Sequence, residues 1–270
     1  MASAHSPDTG HVRVCTWNIQ LGLRLDAVVD AVRRRDDFHG LDLLCLQEAS
    51  VHTGLTDAER IAEALGAGYG HFQATAQLRR GVEQANAIIW RRDSFDLGEP
   101  EIVSLSGPTS ARGPSSARGP SSARMSRAER TLLRAIAPQQ RIAVRAESAA
   151  LRVYVVHLDM IGFAHKLQQL GAVISDMAAR LPVPVTVVAG DLNTFGPPVL
   201  QLWRRLAGAA SEAGLVDITR EVRRTHWTAQ KLDAIFLRSE LPFGSRAWAL
   251  DVKASDHKPV FVEVEFEGRN

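Results

Sequence analysis

Eight polar residues are the candidates for whatever chemistry this chain performs: Asn18, Glu48, His157, Asp191, Asn193, Asp233, Asp256 and His257. Each falls where an apolar run meets a turn, so each reads as a strand-end group. Carboxylate oxygens, with no cysteine among them and few histidines, suit Mg2+ or Mn2+ rather than zinc. Because Mg2+ keeps several of its waters, Glu48 with help from Asp256 suffices to hold one. His157 and His257 supply what hydrolysis of a phosphoester needs besides charge: a base for water, and an acid or donor at the leaving oxygen. A buried carboxylate such as Asp233 would hold an imidazole in one tautomer and stabilise its protonated form. Asp191 and Asn193, two residues apart on one loop, can present an acceptor and a donor together to a phosphate or a metal-bound water.

The elements that must position these groups follow from the apolar pattern. Val12 to Ile19 reads as a strand with Asn18 near its end, and Leu41 to Glu48 as a second strand. Between them Leu25 to Arg35 places Leu25, Val28, Val29 and Val32 at helical spacing. A helix joining two strands makes them parallel neighbours, which brings Asn18 and Glu48 to one sheet edge. Thr56 to Leu65 is a second helix, capped by Thr56 and Glu59. Ala85 to Trp90 is a strand entered through Asn86, a candidate substrate contact, and Arg91-Arg92 reads as a solvated turn. Arg141 to Ala146 and Leu151 to His157 pair as a hairpin. Ala164 to Leu181 and Leu200 to Ala213 are helices, and Val183 to Val188 is the buried strand that delivers the Asp191 loop. Lys231 to Leu237 is a strand with Asp233 early in it, and Val260 to Phe266 alternates as a last, edge-like strand. Trp227 reads as core or lid packing ahead of stacking on a base or a lipid.

With 270 residues, 45% of them hydrophobic and 23% charged, the chain can bury a sizeable core. Its formal net charge of +2 gives no global polyanion signature. No apolar run reaches membrane-spanning length and residues 1–10 lack a signal-like apolar stretch, so a cytoplasmic protein is expected. Cys15 and Cys45 sit in apolar runs and are expected to be buried free thiols. They lie at the same offset from Asn18 and Glu48, so spacing alone leaves a disulfide open. Three near-copies of Gly-Pro-Ser-Ser-Ala-Arg at 107–124 exclude helix and sheet and read as an insertion in a surface loop. From Ser106 to Arg134 six arginines stand against one glutamate, a net +5, so with +2 overall the rest of the chain carries −3. The insertion is either an inert loop or a cationic arm for a polyanion. The expected organisation is a polar, disordered segment 1–10 followed by one domain over 11–267.

Thr16-Trp17-Asn18, Leu46-Gln47-Glu48, His157-Leu158, Gly190-Asp191-Leu192-Asn193, Leu232-Asp233-Ala234-Ile235 and Ser255-Asp256-His257 stand in this order along the chain. They resemble the successive motifs of the endonuclease/exonuclease/phosphatase superfamily, which includes DNase I and exonuclease III. The resemblance implies an α/β fold, a four-layer αββα sandwich of two packed mixed sheets with the site at one rim. It implies Glu48 as principal metal ligand, supported by Asn18 and Asp256. His257 with Asp233 would be the base or phosphate-polarising dyad, Asp191 and Asn193 would hold the attacking water and the phosphate, and His157 would assist the leaving group. The implied protein is a Mg2+- or Mn2+-dependent phosphoester hydrolase, a nuclease-like phosphodiesterase using in-line attack of water. Its partner would be a phosphoester, nucleic acid included, and a monomer is expected. A phospholipid or small phosphorylated metabolite is the alternative substrate, and a catalytically silent binding protein of the same fold is a third reading. Ile19-Gln20-Leu21-Gly22 stands where exonuclease III relatives carry a Gly-Leu-Arg-like turn, which argues against abasic-site specificity.

Overall fold

Two strand–helix–strand units, each ending its strands in polar residues, set the architecture. The computed structural model describes residues 10–79, 81–105, 140–160, 162–195 and 199–267, and of residues 199 and 200 the backbone alone. The 107–124 repeat and, apart from Gly10, the expected disordered segment lie outside the described residues. In chain order the elements begin with β1 (His11–Asn18), α1 (Leu25–Arg34), β2 (Leu43–Ala49), the short β3 (Val51–His52) and β4 (Leu55–Thr56), and α2 (Asp57–Leu65). There follow β5 (Tyr69–Arg79), β6 (Val82–Arg91), β7 (Glu101–Leu105), β8 (Arg141–Glu147), β9 (Leu151–His157) and α3 (Phe163–Ala178). The last are β10 (Val185–Asp191), α4 (Val199–Glu212), β11 (Val216–Asp217), β12 (Asp233–Ser239), β13 (Phe243–Ala249) and β14 (Val260–Phe266).

One sheet runs β13-β14-β1-β2-β6-β5 and the other β11-β12-β10-β9-β8-β7. Each holds one parallel pair at its middle, β1 with β2 and β9 with β10, flanked by antiparallel strands. The helical crossovers α1 and α3 make those pairs possible, since parallel neighbours need a connection long enough to return the chain. Between the sheets Val14, Cys45 and Ile88 pack with Val153, Val187 and Ile235. Outside the first sheet Trp17, Leu44 and Leu46 lie under Val28, Val32 and Ile61 of α1 and α2. Outside the second, Tyr154, Val188 and Phe236 lie under Leu170, Val173 and Leu206 of α3 and α4. The result is the four-layer αββα sandwich. The 10-residue α1 would be marginal alone. Its four buried aliphatics, at about 1.5–3 kcal/mol each, hold it on the sheet. Among the described residues no helix is long and apolar enough to cross a membrane.

Several elements differ from the expectation. β5, β7 and β13 carry no clean alternation, because exposed and part-buried residues mix along them, and the sequence pattern misses them. β14 is not at an edge: β13 covers it on one side and β1 on the other. Arg91-Arg92 is not a plain solvated turn, since Arg91 Nε donates to Ser94 Oγ at 2.7 Å and its guanidinium pairs with Asp42. Thr56 does cap α2, accepting from the Glu59 N–H at 3.1 Å. Trp227 is 74% exposed, so it is not a core residue.

Cys15 and Cys45 are both buried and free. Their equal offsets from Asn18 and Glu48 do not make them a pair, because the register sets Cys15 opposite Leu44 and Thr16 opposite Cys45. One residue of stagger turns the two thiols to opposite faces of the sheet, Cys15 toward the helices and Cys45 into the inter-sheet core. The stagger has a partner at the strand end, where β2 carries a bulge between Gln47 and Ala49 and Glu48 takes a left-handed φ of 51°. Burial pushes the Cys45 thiol up to about 12 and Cys15 well above its ordinary value. Thiol titration should therefore find none reactive in the native protein and two after unfolding; native reactivity, or no free thiol after unfolding, would contradict this packing. Gly190 sits at φ 154°, and a Cβ there would collide with the Val156 carbonyl oxygen of the adjacent strand. Gly190→Ala should destabilise the fold by on the order of 3 kcal/mol or more, read as a lowered midpoint in chemical denaturation; an unchanged midpoint would show that β9 and β10 tolerate separation.

Candidate active site

The ends of the central strands meet at one rim. Asn18 closes β1, Glu48 stands on the bulge of β2, His157 closes β9 and Asp191 closes β10. Asp233 opens β12 directly opposite Asp191. Asp256 and His257 come from the loop before β14, which Ser255 ties to β1 through a 2.7 Å bond from its hydroxyl to the Asn18 carbonyl. Trp17 adds a second tie, its indole N–H donating to the His257 carbonyl at 3.1 Å.

Asp191 is the hub. Its Oδ2 accepts from Asn18 Nδ2 at 3.0 Å, a bond that crosses from one sheet to the other, and its Oδ1 accepts from the Asn193 N–H at 2.8 Å. That second bond needs Asn193 at φ 50°, a left-handed conformation that asparagine tolerates better than most residues. The Asn193 side chain donates to the Leu158 carbonyl at 2.8 Å and so locks the loop to the end of β9. Both histidines face Asp191 Oδ2, His157 Nε2 and His257 Nε2 each at 3.7 Å.

The two imidazoles have opposite backers. His257 Nδ1 lies 2.9 Å from Asp233 Oδ2. Burial works against a charge on His257, but the carboxylates of Asp233 and Asp191 outweigh it and push the imidazole up to about 10. His157 Nδ1 lies 3.0 Å from Arg141 Nη1. There burial, the Arg141 guanidinium and the His257 charge all act together and hold His157 well below its ordinary value. Asp191, desolvated and set beside Asp233, is pushed up to about 7 although His257 opposes the shift. One neutral and one charged imidazole around a single carboxylate is the separation of roles that acid–base chemistry uses.

Glu48 lies on the His157 side. Its Oε1 accepts from Gln84 Nε2 at 3.0 Å and stands 3.9 Å from both His157 Nε2 and Arg79 Nη1. Asp256 lies on the His257 side, where its Oδ2 accepts from Gln20 Nε2 at 3.1 Å and faces His226 Nε2 at 3.7 Å. Among the described residues, side-chain groups close enough to share an ion are Asp191, Asp233 and His257, and His226, Asp256 and His257. Neither set includes Glu48. Asn86 is buried away from solvent, its amide donating to the Ile142 carbonyl at 2.8 Å, and it joins the two sheets beneath the rim.

Four residues at the rim carried no signal as chemistry in the sequence. Gln20 and Gln84 are ordinary amides whose targets, Asp256 and Glu48, are remote in the chain. Arg141 is visible only as a charge opening an apolar strand, one residue before the position that the hairpin register sets opposite His157. His226 packs its ring 4.7 Å from that of His257 through a bridge between the two segments, which only the fold brings together.

A sequence profile of the Endonuclease/Exonuclease/phosphatase family matches residues 15–257. No curated protein matches in sequence. The solved structure of an endonuclease/exonuclease/phosphatase from Beutenbergia cavernae is similar, with TM-score 0.69 and 18% identity, covering 96% of this chain and 72% of that one. The human Nocturnin catalytic domain, solved with a bound sulfate anion, gives 0.64 at 17% identity over 96% of this chain and 95% of that one. A mannosyl-6-phosphatase from Bacteroides thetaiotaomicron gives 0.60 at 18% identity over 94% and 100%. Identities this low speak for the fold alone. The profile, spanning both sheets and every motif at the rim, decides the relationship: the chain belongs to the endonuclease/exonuclease/phosphatase family.

Proposed function

We propose that the chain is a Mg2+- or Mn2+-dependent phosphodiesterase, nuclease-like, that cleaves by in-line attack of water. Family membership supports a phosphoesterase in general. The finer reading rests on one observation, the charged His257 and the neutral His157 set 3.7 Å from the same Asp191 oxygen. The chemistry of the implied donors suits a hard cation, the carboxylates of Glu48 and Asp256 and the carboxamide oxygen of Asn18, although Glu48 stands outside both groups that lie close enough to share an ion. Such a cation, when bound, supplies charge stabilisation to the phosphoryl oxygens.

The chain's own groups do the rest. Asp191 and Asn193 orient the water and the phosphate. His257, held by Asp233, polarises the phosphate as the cationic member of the site. His157 stands at the leaving-group side. With its amide already donating to backbone, Asn86 takes a positioning part rather than a substrate contact. Trp227, 74% exposed beside His226, favours a substrate that extends past the scissile bond and has a flat face to offer, as a nucleic acid does.

A panel of DNA, RNA, phospholipid, inositol phosphate and a chromogenic diester, each with Mg2+ or Mn2+, tests this reading. Hydrolysis of a nucleic-acid diester is expected, with affinity that falls steeply as salt is added. Glu48→Gln should keep the fold and lower the rate on the order of a thousandfold, and excess EDTA should do the same reversibly; undiminished hydrolysis in EDTA would overturn the metal dependence. The dyad can be tested separately. His257→Ala, Asp233→Ala and the double variant should have similar residual rates, because residues that act as one unit lose their function together. Losses that multiply in that cycle would separate the two residues.

A further inference from the structure

His157 and His257 occupy matching places on the two sides of Asp191, yet the groups behind them have opposite donor character. Behind His157 stands Arg141, 3% exposed, whose Nη1 is 3.0 Å from His157 Nδ1 and whose Nε donates to Asp159 Oδ1 at 3.1 Å. A guanidinium has only N–H donors, five of them, and no acceptor. The Nη1 contact therefore requires a bare lone pair on Nδ1. In a neutral imidazole one nitrogen donates and the other accepts, so the single proton of His157 must lie on Nε2. Asp159 anchors the guanidinium by a buried ion pair. Two residues of the same strand end, His157 and Asp159, thus fix the Arg141 fork in one orientation.

The N–H so fixed points between two carboxylates and meets neither. Nε2 is 3.7 Å from Asp191 Oδ2 and 3.9 Å from Glu48 Oε1, both beyond hydrogen-bond length. A donor held there, on a buried ring and within hydrogen-bond length of neither carboxylate, is arranged to receive an oxygen that arrives from outside. A second proton would have to sit on Nδ1, facing the guanidinium donor. We propose that Arg141 is a positioning residue that fixes His157 as the Nε2–H tautomer, so that His157 serves as a hydrogen-bond donor to a phosphoryl or leaving oxygen and keeps its proton throughout. The catalytic half of this statement rests on the phosphoesterase reading above; the tautomer does not. Such a donor is expected to be replaceable by another neutral N–H, which a proton-transferring acid is not.

The test begins with 15N-labelled histidine in the full chain, read by NMR at neutral pH, with the His157 signals assigned by their loss in His157→Gln. The wild-type protein should show one proton on His157, at Nε2. Arg141→Met should release the constraint, giving mixed tautomers or a doubly protonated ring. A proton on Nδ1, or two protons, in the wild type would overturn the proposal without any reference to activity, and that spectrum decides even if Arg141→Met does not fold. On the diester hydrolysed in the panel, His157→Ala should lose on the order of a thousandfold and His157→Gln on the order of tenfold, since the glutamine amide can still donate. Equal losses in the two variants would overturn the donor role. If no phosphoester is hydrolysed at all, the functional reading fails while the NMR result still stands or falls by itself.

Discussion

The bond from Asn18 Nδ2 to Asp191 Oδ2 is the one on which the rim depends. It is buried, it joins the two sheets at the rim as the Asn86 amide does beneath it, and its acceptor is the carboxylate that both histidines face. Lose it, and Asp191 is left desolvated beside Asp233 with less to offset the repulsion of two carboxylates paired across adjacent strands. A buried anion so placed either protonates or finds a cation. Here His257 provides the cation, and Asp233 Oδ1, buried with no hydrogen-bond partner among the described residues, shows how far the site relies on that one charge.

The same logic explains why the two sheets have the same plan. Each contributes a parallel pair at its centre, and ligands in α/β sheets gather where strands end. Two such ends placed face to face bring polar groups from both sheets to a shared rim, Asn18 and Glu48 from one sheet, His157 and Asp191 from the other. The rest of these central strands is mostly apolar on both faces because the middle of each sheet is covered twice, by its sister and by helices. Polar residues at strand ends are therefore conspicuous in this chain in a way they would not be in an exposed sheet.

That contrast is why so much could be read from the sequence. Asn18, Glu48, His157, Asp191 and Asp233 each interrupt a run of Val, Leu, Ile or Ala, and the interruption marks both the strand and its end. The central strands and helices were legible for the same reason. Strands β5, β7 and β13 were not, because their partial exposure leaves no clean period. Register was not legible either: whether Cys15 and Cys45 share a face turns on a one-residue stagger that neither spacing nor composition encodes. The partners that set the histidines apart were half visible. Asp233 could be guessed from its place in a family motif, whereas Arg141 acts by standing behind His157 across a hairpin, and nothing in a lone arginine announces an imidazole as its neighbour.

The strand order has a consequence for how this protein comes into being. β1 is the first of the described strands along the chain, yet one of its two flanks is β14, with His11 paired to Glu265 some 250 residues later. Closing so long a loop is entropically slow, and topologies rich in such pairings fold late. While a ribosome is still adding β12 and β13, β1 has one open edge and the loop bearing Asp256 and His257 does not yet exist. The sheets can collapse on their apolar faces before that, but the charged imidazole that holds Asp191 and Asp233 together arrives only with the last strand. A nascent or truncated chain would carry the fold's hydrophobic layers with two uncompensated carboxylates at their rim. The site is thus complete only once β14 has paired with β1, and its completion and the closure of the first sheet are a single event.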